Sequence, residues 1–228
     1  MSYLSYLLDA SRWGGPGGTG QLLLQHLAYT AAAVVIGAVI AIPLGVLIGH
    51  TGRGGFLVIG LSNAARAIPS IGLLVLVVLA TSTGFGPTVL VLAVLALPAI
   101  LTATSAGVSG ADPDAVYAAR ALGMTGGQIV SKVEWPLAVP LVVSGLRSAT
   151  LQVVATATVA AFAAGGGLGQ LLISGQRSRD YSQMIAGAVL IAGLAIVLDL
   201  LIGLIGLLAS RRVRPAAKTR RSAAPASA

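Results

Sequence analysis

The chain contains no cysteine, so neither a disulfide nor thiolate chemistry is open to it. Charge is almost as scarce. Only 9% of its 228 residues are charged, against roughly 25% in soluble domains, too few to make a water-facing surface. Six acidic residues and no H-E-x-x-H leave no donor set for an intramembrane protease or a metal centre. His26 and His50 are far apart in sequence and lack metal-ligand neighbours. There is no G-x-x-x-x-G-K-[ST], so this chain has no phosphate-binding loop and no ATP hydrolysis of its own. The run Gly165-Gly166-Gly167-x-Gly169 neither follows a strand nor precedes a lysine, and reads as a flexible external turn. These absences point to no catalytic residue, no cofactor and no metal. Any work done here is mechanical or permissive.

What is present is oil. Hydrophobic residues make up 56% of the chain and the mean hydropathy is +0.94. Thirty glycines suit a membrane protein, because small residues let transmembrane helices approach closely. The expected fold is all-α and polytopic, with spans at about 27–49, 56–81, 87–108, 137–162 and 183–210, each near the roughly 20 residues a bilayer requires. The second apolar region is interrupted at Arg66-Ala67-Ile68-Pro69-Ser70, where proline removes a backbone donor and should break or bend the helix. Residues 1–20 have no basic leader and no apolar core, so they read as an external or interfacial segment and the first span as an uncleaved insertion signal. Tyr3, Tyr6 and Trp13 suit a headgroup interface.

The net charge of +8 is concentrated at one end. Arg211, Arg212, Arg214, Lys218, Arg220 and Arg221 follow the last apolar run, the positive-inside pattern of a cytoplasmic tail, here residues 210–228. Their partner is lipid headgroups rather than nucleic acid. About five spans then put the N-terminus outside and the 112–136 loop inside.

Three ionisable residues fall within spans: Arg66, Arg147 and Asp199. Each lies about ten residues from the cytoplasmic end of its span, hence roughly 15 Å deep. Equal depth allows Asp199 to pair with Arg147 or with Arg66. In the alternative, both arginines snorkel to the interface and Asp199 alone needs a partner.

The one long polar interruption runs from Asp112 to Pro136 and is written as two short helices. Asp112 is a good N-cap, Pro113 fits the first helical position and Asp114 complements the positive helix end. Gly123 can close that helix in a left-handed conformation. Thr125 and Gln128 have the spacing of a capping box for a second helix, which Pro136 is expected to stop.

Within this stretch, Tyr117-Ala118-Ala119, Gly123, Val133 and Pro136 resemble the EAA loop of ATP-binding-cassette importer permeases, which reads E-A-A, three residues, G, nine residues, I-x-L-P. The spacing holds throughout. Tyr117 replaces the glutamate, Val133 the isoleucine and Trp135 the leucine. The likeness extends over residues 21–209 and is greatest to osmoprotectant permeases. Ala67-Ile68-Pro69-Ser70 is similar to their I-P-S break, Ala164–Gly169 to their glycine-rich turn, and Leu97-Pro98-Ala99-Ile100 to their third span.

The resemblance implies a bacterial cell-membrane permease for glycine betaine, carnitine, choline or proline betaine. Its partners would be a cytoplasmic ATPase, an external substrate-binding protein and a second permease, a copy or a paralogue. The ATPase would dock on Asp114, Tyr117, Ala118, Ala119, Arg120, Leu122 and Gly123. Ser70, Gln152, Thr156 and Thr158, with Pro69 and the three ionisable residues, are candidates for the passage. A quaternary ammonium is commonly held in an aromatic cage, but aromatics form only 4% of this chain, so selectivity is expected in the binding protein. Three rivals stand beside this reading: a permease for methionine or another amino acid, a secondary transporter or channel without an ATPase, and a non-transport scaffold, which explains the helices but not the EAA spacing.

Overall fold

The computed structural model describes residues 3–67, 69–164 and 166–211. The side chains of residues 3–5, 59, 61, 63, 65, 66, 163, 164 and 209–211 lie outside that description. So do Ile68, Gly165 and the basic residues from Arg212 to Arg221. The described residues form helices and no strand: α1 (Tyr3–Leu8), α2 (Thr19–Thr51), α3 (Gly55–Ala67), α4 (Ser70–Ala80), α5 (Phe85–Ser109), α6 (Pro113–Ala121), α7 (Gly126–Ile129), α8 (Trp135–Ala164), α9 (Gly169–Ser178) and α10 (Tyr181–Arg211). Four helical stretches are long and apolar enough to cross a membrane: Thr19–Thr51, Phe85–Ser109, Gly126–Phe162 and Tyr181–Leu208. The apolar region between the first two is not one helix. α3 ends at Ala67 and α4 begins at Ser70, with Pro69, which has no N–H to donate, as the N-cap residue of α4.

α5 is the centre of the bundle, with Leu92, Ala96 and Ile100 fully buried and α2 and α8 on its two sides. The α2–α5 seam is made by small residues. Ala33, Gly37, Ala41, Gly45 and Gly49 recur every four positions and so share one face of α2. A Cβ at Gly37 would lie 3.2 Å from that of Ala96, and one at Gly45 only 2.7 Å from that of Thr104. With lipid as apolar as any side chain, close backbone packing supplies the attraction that the hydrophobic effect does not. Gly107 against Ala138 and Gly145 against Ala103 repeat the device between α5 and α8. α10 lies outermost, packed on α8, α9 and α1.

Two sequence expectations change. Pro136 does not stop the second polar helix: α7 runs through a π-helical turn, Val130–Glu134, directly into α8. The wider turn just before the proline accommodates its ring and missing donor, so the helix axis continues. The segment left between the spans expected at 137–162 and 183–210 is not only a turn but contains α9. Its glycine-rich start disfavours a helix by propensity, but burial of Leu171 and Ile173 outweighs that cost.

Candidate functional site

The polar loop between α5 and α8 is built by local hydrogen bonds. The Asp112 carboxylate accepts from the Asp114 N–H at 3.0 Å and opens α6. Gly123, at φ +78°, turns the chain away after Ala121. Thr125 Oγ1 accepts from the Gln128 N–H at 3.4 Å, while Gln128 Oε1 accepts from the Thr125 N–H at 2.8 Å, a complete capping box. The Asp112 cap and the Gly123 turn bound α6 as a short rod at the end of the bundle, and the capping box opens α7. Asp114, Tyr117, Ala118, Arg120 and Leu122 are exposed on it, Tyr117 by 76% and Leu122 by 83%. Ala119 is only 5% exposed. It faces the bundle, so the two alanines divide the labour: Ala118 presents a flat outer face and Ala119 lets α6 sit close to its own protein.

Beneath α6 is a cavity of about 510 Å³ reached by Tyr117, Asp114 and Arg120 from above and by His50 and Glu134 from below. His50 Nδ1 and Glu134 Oε2 are 2.7 Å apart, with the Glu134 side chain 6% exposed. This contact joins the end of α2 to the π turn at the root of α8. Sequence reasoning missed it, because the partners are 84 residues apart. One signal was present: Glu134 is the sole glutamate of the chain and sits at the edge of an apolar run.

Further along the membrane-spanning stretch, Arg147 of α8 meets Asp199 of α10. Nε donates to Oδ1 at 2.7 Å and the terminal guanidinium nitrogen to Oδ2 at 2.5 Å, a bidentate fork. Of the two arginines considered for Asp199, Arg147 holds it; the Arg66 side chain is outside the described residues. The pair lines a groove of about 580 Å³ between α8 and α10, with Pro140, Val143, Ser144 and Gly203 among its walls.

Gln152 and Thr156 share a face of α8 with two residues the sequence reading passed over, Ser144 and Ser148. All four are spaced by four, and Ser144, Ser148 and Gln152 are exposed. Thr156 Oγ1 donates to the Gln152 carbonyl at 2.8 Å. Thr158 lies about 200° round the helix from Thr156 and bonds instead to the Val154 carbonyl at 3.0 Å. Ser70 is half-buried at the start of α4, and Pro69 before it is exposed.

The glycine-rich turn is tucked against α2 rather than hanging free. The Gly167 N–H donates to Gln25 Oε1 at 3.2 Å, and a Cβ on Gly167 would lie 3.2 Å from His26 Nδ1. His26 is fully buried and donates through Nε2 to the Val154 carbonyl at 3.2 Å. Near the N-terminus, hydrogen bonds from Ser11 and then Arg12 hold the Asp9 carboxyl below the ordinary aspartate value. Among the described residues no three histidine or acidic side chains converge on a metal-sized site.

Residues 21–215 match the family described as binding-protein-dependent transport system inner membrane component. The chain is 33% identical over 183 residues to a glycine betaine/carnitine/choline transport system permease protein, OpuCB, of Bacillus subtilis, covering 79% of this chain and 84% of that one. It is 35% identical over 207 residues to the osmoprotectant import permease protein OsmW of Salmonella typhimurium, covering 89% and 94%. Among solved structures, the inward-facing MetNI methionine ABC transporter superposes with a TM-score of 0.70 at 29% identity, over 84% of this chain and 94% of that one. A multi-pass helical bundle with a capped helix between its third and fourth apolar regions, matched over nearly its whole length, belongs to the inner-membrane permease family of binding-protein-dependent ABC transport systems.

Proposed function

We propose that this chain is the membrane-spanning subunit of an ATP-driven importer of osmoprotectants such as glycine betaine, carnitine, choline or proline betaine. The observation that carries the reading is α6, a helix capped at both ends and exposed at Tyr117 and Leu122, in a chain with no phosphate-binding loop. Energy then arrives through that helix from a separate cytoplasmic ATPase. Asp114, Tyr117, Ala118, Arg120 and Leu122 form the docking face in the helix-in-groove manner. Ala119 and Gly123 set how that face is held. An external substrate-binding protein delivers the solute, and a second permease, a copy or a paralogue, completes the passage. In this arrangement residues 1–20 lie outside, residues 21–209 form the permease domain, and residues 210–228 form a cytoplasmic tail against anionic lipid. Osmoprotectant relatives support the substrate class.

The second reading is a methionine permease, favoured by the likeness to a methionine transporter. Uptake in a strain deleted for this gene and complemented with it separates the two. The expected result is restored accumulation of labelled glycine betaine and no change in methionine. Restored methionine uptake alone selects the second reading.

A further inference from the structure

The groove between α8 and α10 holds one charge of each sign in an otherwise uncharged wall. Arg147 and Asp199 satisfy each other, yet their side chains are 43% and 23% exposed. Joining α8 to α10 does not require that opening, because the helices already meet closely where Gly206 seats Val143. The groove's volume of about 580 Å³ is that of a small-molecule site. Ser144, on its wall, begins the polar face that continues through Ser148, Gln152 and Thr156. The pair therefore sits beside the most polar track on the membrane-spanning part of α8.

The geometry points to Arg147 and Asp199 as a zwitterion-binding site on the translocation route. The solute's carboxylate takes Arg147 and its cationic nitrogen takes Asp199 as the pair opens. This assignment rests on the osmoprotectant reading above and narrows it to a charge class. Within a membrane span, breaking an ion pair at a half-open site leaves two charges poorly compensated unless each finds another counter-charge. A zwitterion brings one of each sign, so both side chains remain compensated and the site stays neutral. A bare cation satisfies Asp199 and leaves the guanidinium alone; a bare anion does the reverse. The protein's ion pair thus selects for its own charge pattern, without the aromatic cage that this chain has few residues to build.

The test uses the purified permease–ATPase assembly, with labelled glycine betaine as the zwitterion and labelled choline as the cation. Equilibrium binding is measured without the binding protein, and uptake is measured in liposomes with it. Arg147→Gln is expected to weaken glycine betaine binding by at least about tenfold, the loss of a charge-assisted bond, while choline binding is kept or raised. The double variant Arg147→Gln/Asp199→Asn leaves no stranded charge; it is expected to assemble and to bind neither probe. The assignment alone is overturned if the wild type imports glycine betaine but binds neither probe, or if the double variant binds and imports like the wild type. Equal weakening of both probes by Arg147→Gln, or failure of the double variant to assemble, also overturns it in favour of a purely structural pair. A wild type that imports no osmoprotectant removes the proposed function and this site with it.

Discussion

Ala119 and Gly123 bear on α6, the proposed docking helix, in different ways. Ala119 is pressed against the bundle at 5% exposure, so a bulky residue there lifts α6 off its seat. Gly123 sits at φ +78°, where an L side chain costs about 1–2 kcal/mol. Ala119→Trp and Gly123→Asp are therefore expected to abolish co-purification of the ATPase, checked by affinity isolation from membranes. Tyr117→Ala, on the open face, should weaken that capture without lowering the thermal stability of the permease. Below the helix, His50→Ala leaves the buried Glu134 carboxylate without its partner. The expected loss is about 1–3 kcal/mol, read by tryptophan fluorescence during thermal unfolding in detergent, with Glu134→Gln costing less because the amide still bonds to the imidazole. A His50→Ala variant as stable as the wild type would exclude the contact as a tie between α2 and α8.

Among the elements, the α2–α5 seam depends on the absence of side chains. Gly45→Leu places atoms where Thr104 already stands, since even a Cβ would lie 2.7 Å from that of Thr104. Overpacking of this kind costs about 1–3 kcal/mol, and the measurement is the yield of folded permease and its unfolding temperature. Gly60→Ala in α3 meets nothing within 4 Å and is the control expected to be neutral. How much was readable differs by element for a physical reason. The caps of α6 and α7 were legible because Asp112–Asp114 and Thr125–Gln128 are bonds between residues two or three apart. The break at Pro69 was expected from the donor that residue lacks, although Pro43, Pro98 and Pro140 lack it too and sit inside helices. α9 was not, because its stability comes from burying Leu171 and Ile173, and no local pattern outweighs its glycines. The passage through Pro136 was not legible either, since a π turn is a compromise between neighbours rather than a property of the proline.

At the scale of the molecule, α8 turns a polar face outward within the membrane while α2 turns Val35, Val39 and Leu47 outward. The first suits a water-filled passage closed by a second permease, the second suits lipid. The lack of cysteine makes the contrast measurable, because any introduced thiol is the only one. Ser148→Cys and Gln152→Cys are expected to react with a membrane-impermeant methanethiosulfonate during turnover, and Val39→Cys to remain unlabelled. Equal labelling at all three positions would remove α8 from the passage.

The sequence by itself determined the class of molecule and the capped polar loop between α5 and α8, because both are set by composition and by bonds within a few residues. Too little charge excludes a soluble surface, and the E-A-A spacing, even with Tyr117 in place of the glutamate, lies within a single short segment. Tertiary structure alone decided which arginine holds Asp199, that Ala119 faces inward, and that His50 meets Glu134. Those contacts depend on how whole helices pack, through seams such as Gly45 between α2 and α5 and Gly206 between α10 and α8. Spacing along the chain sets the depth of a charge in the membrane, but only packing sets which neighbour it faces.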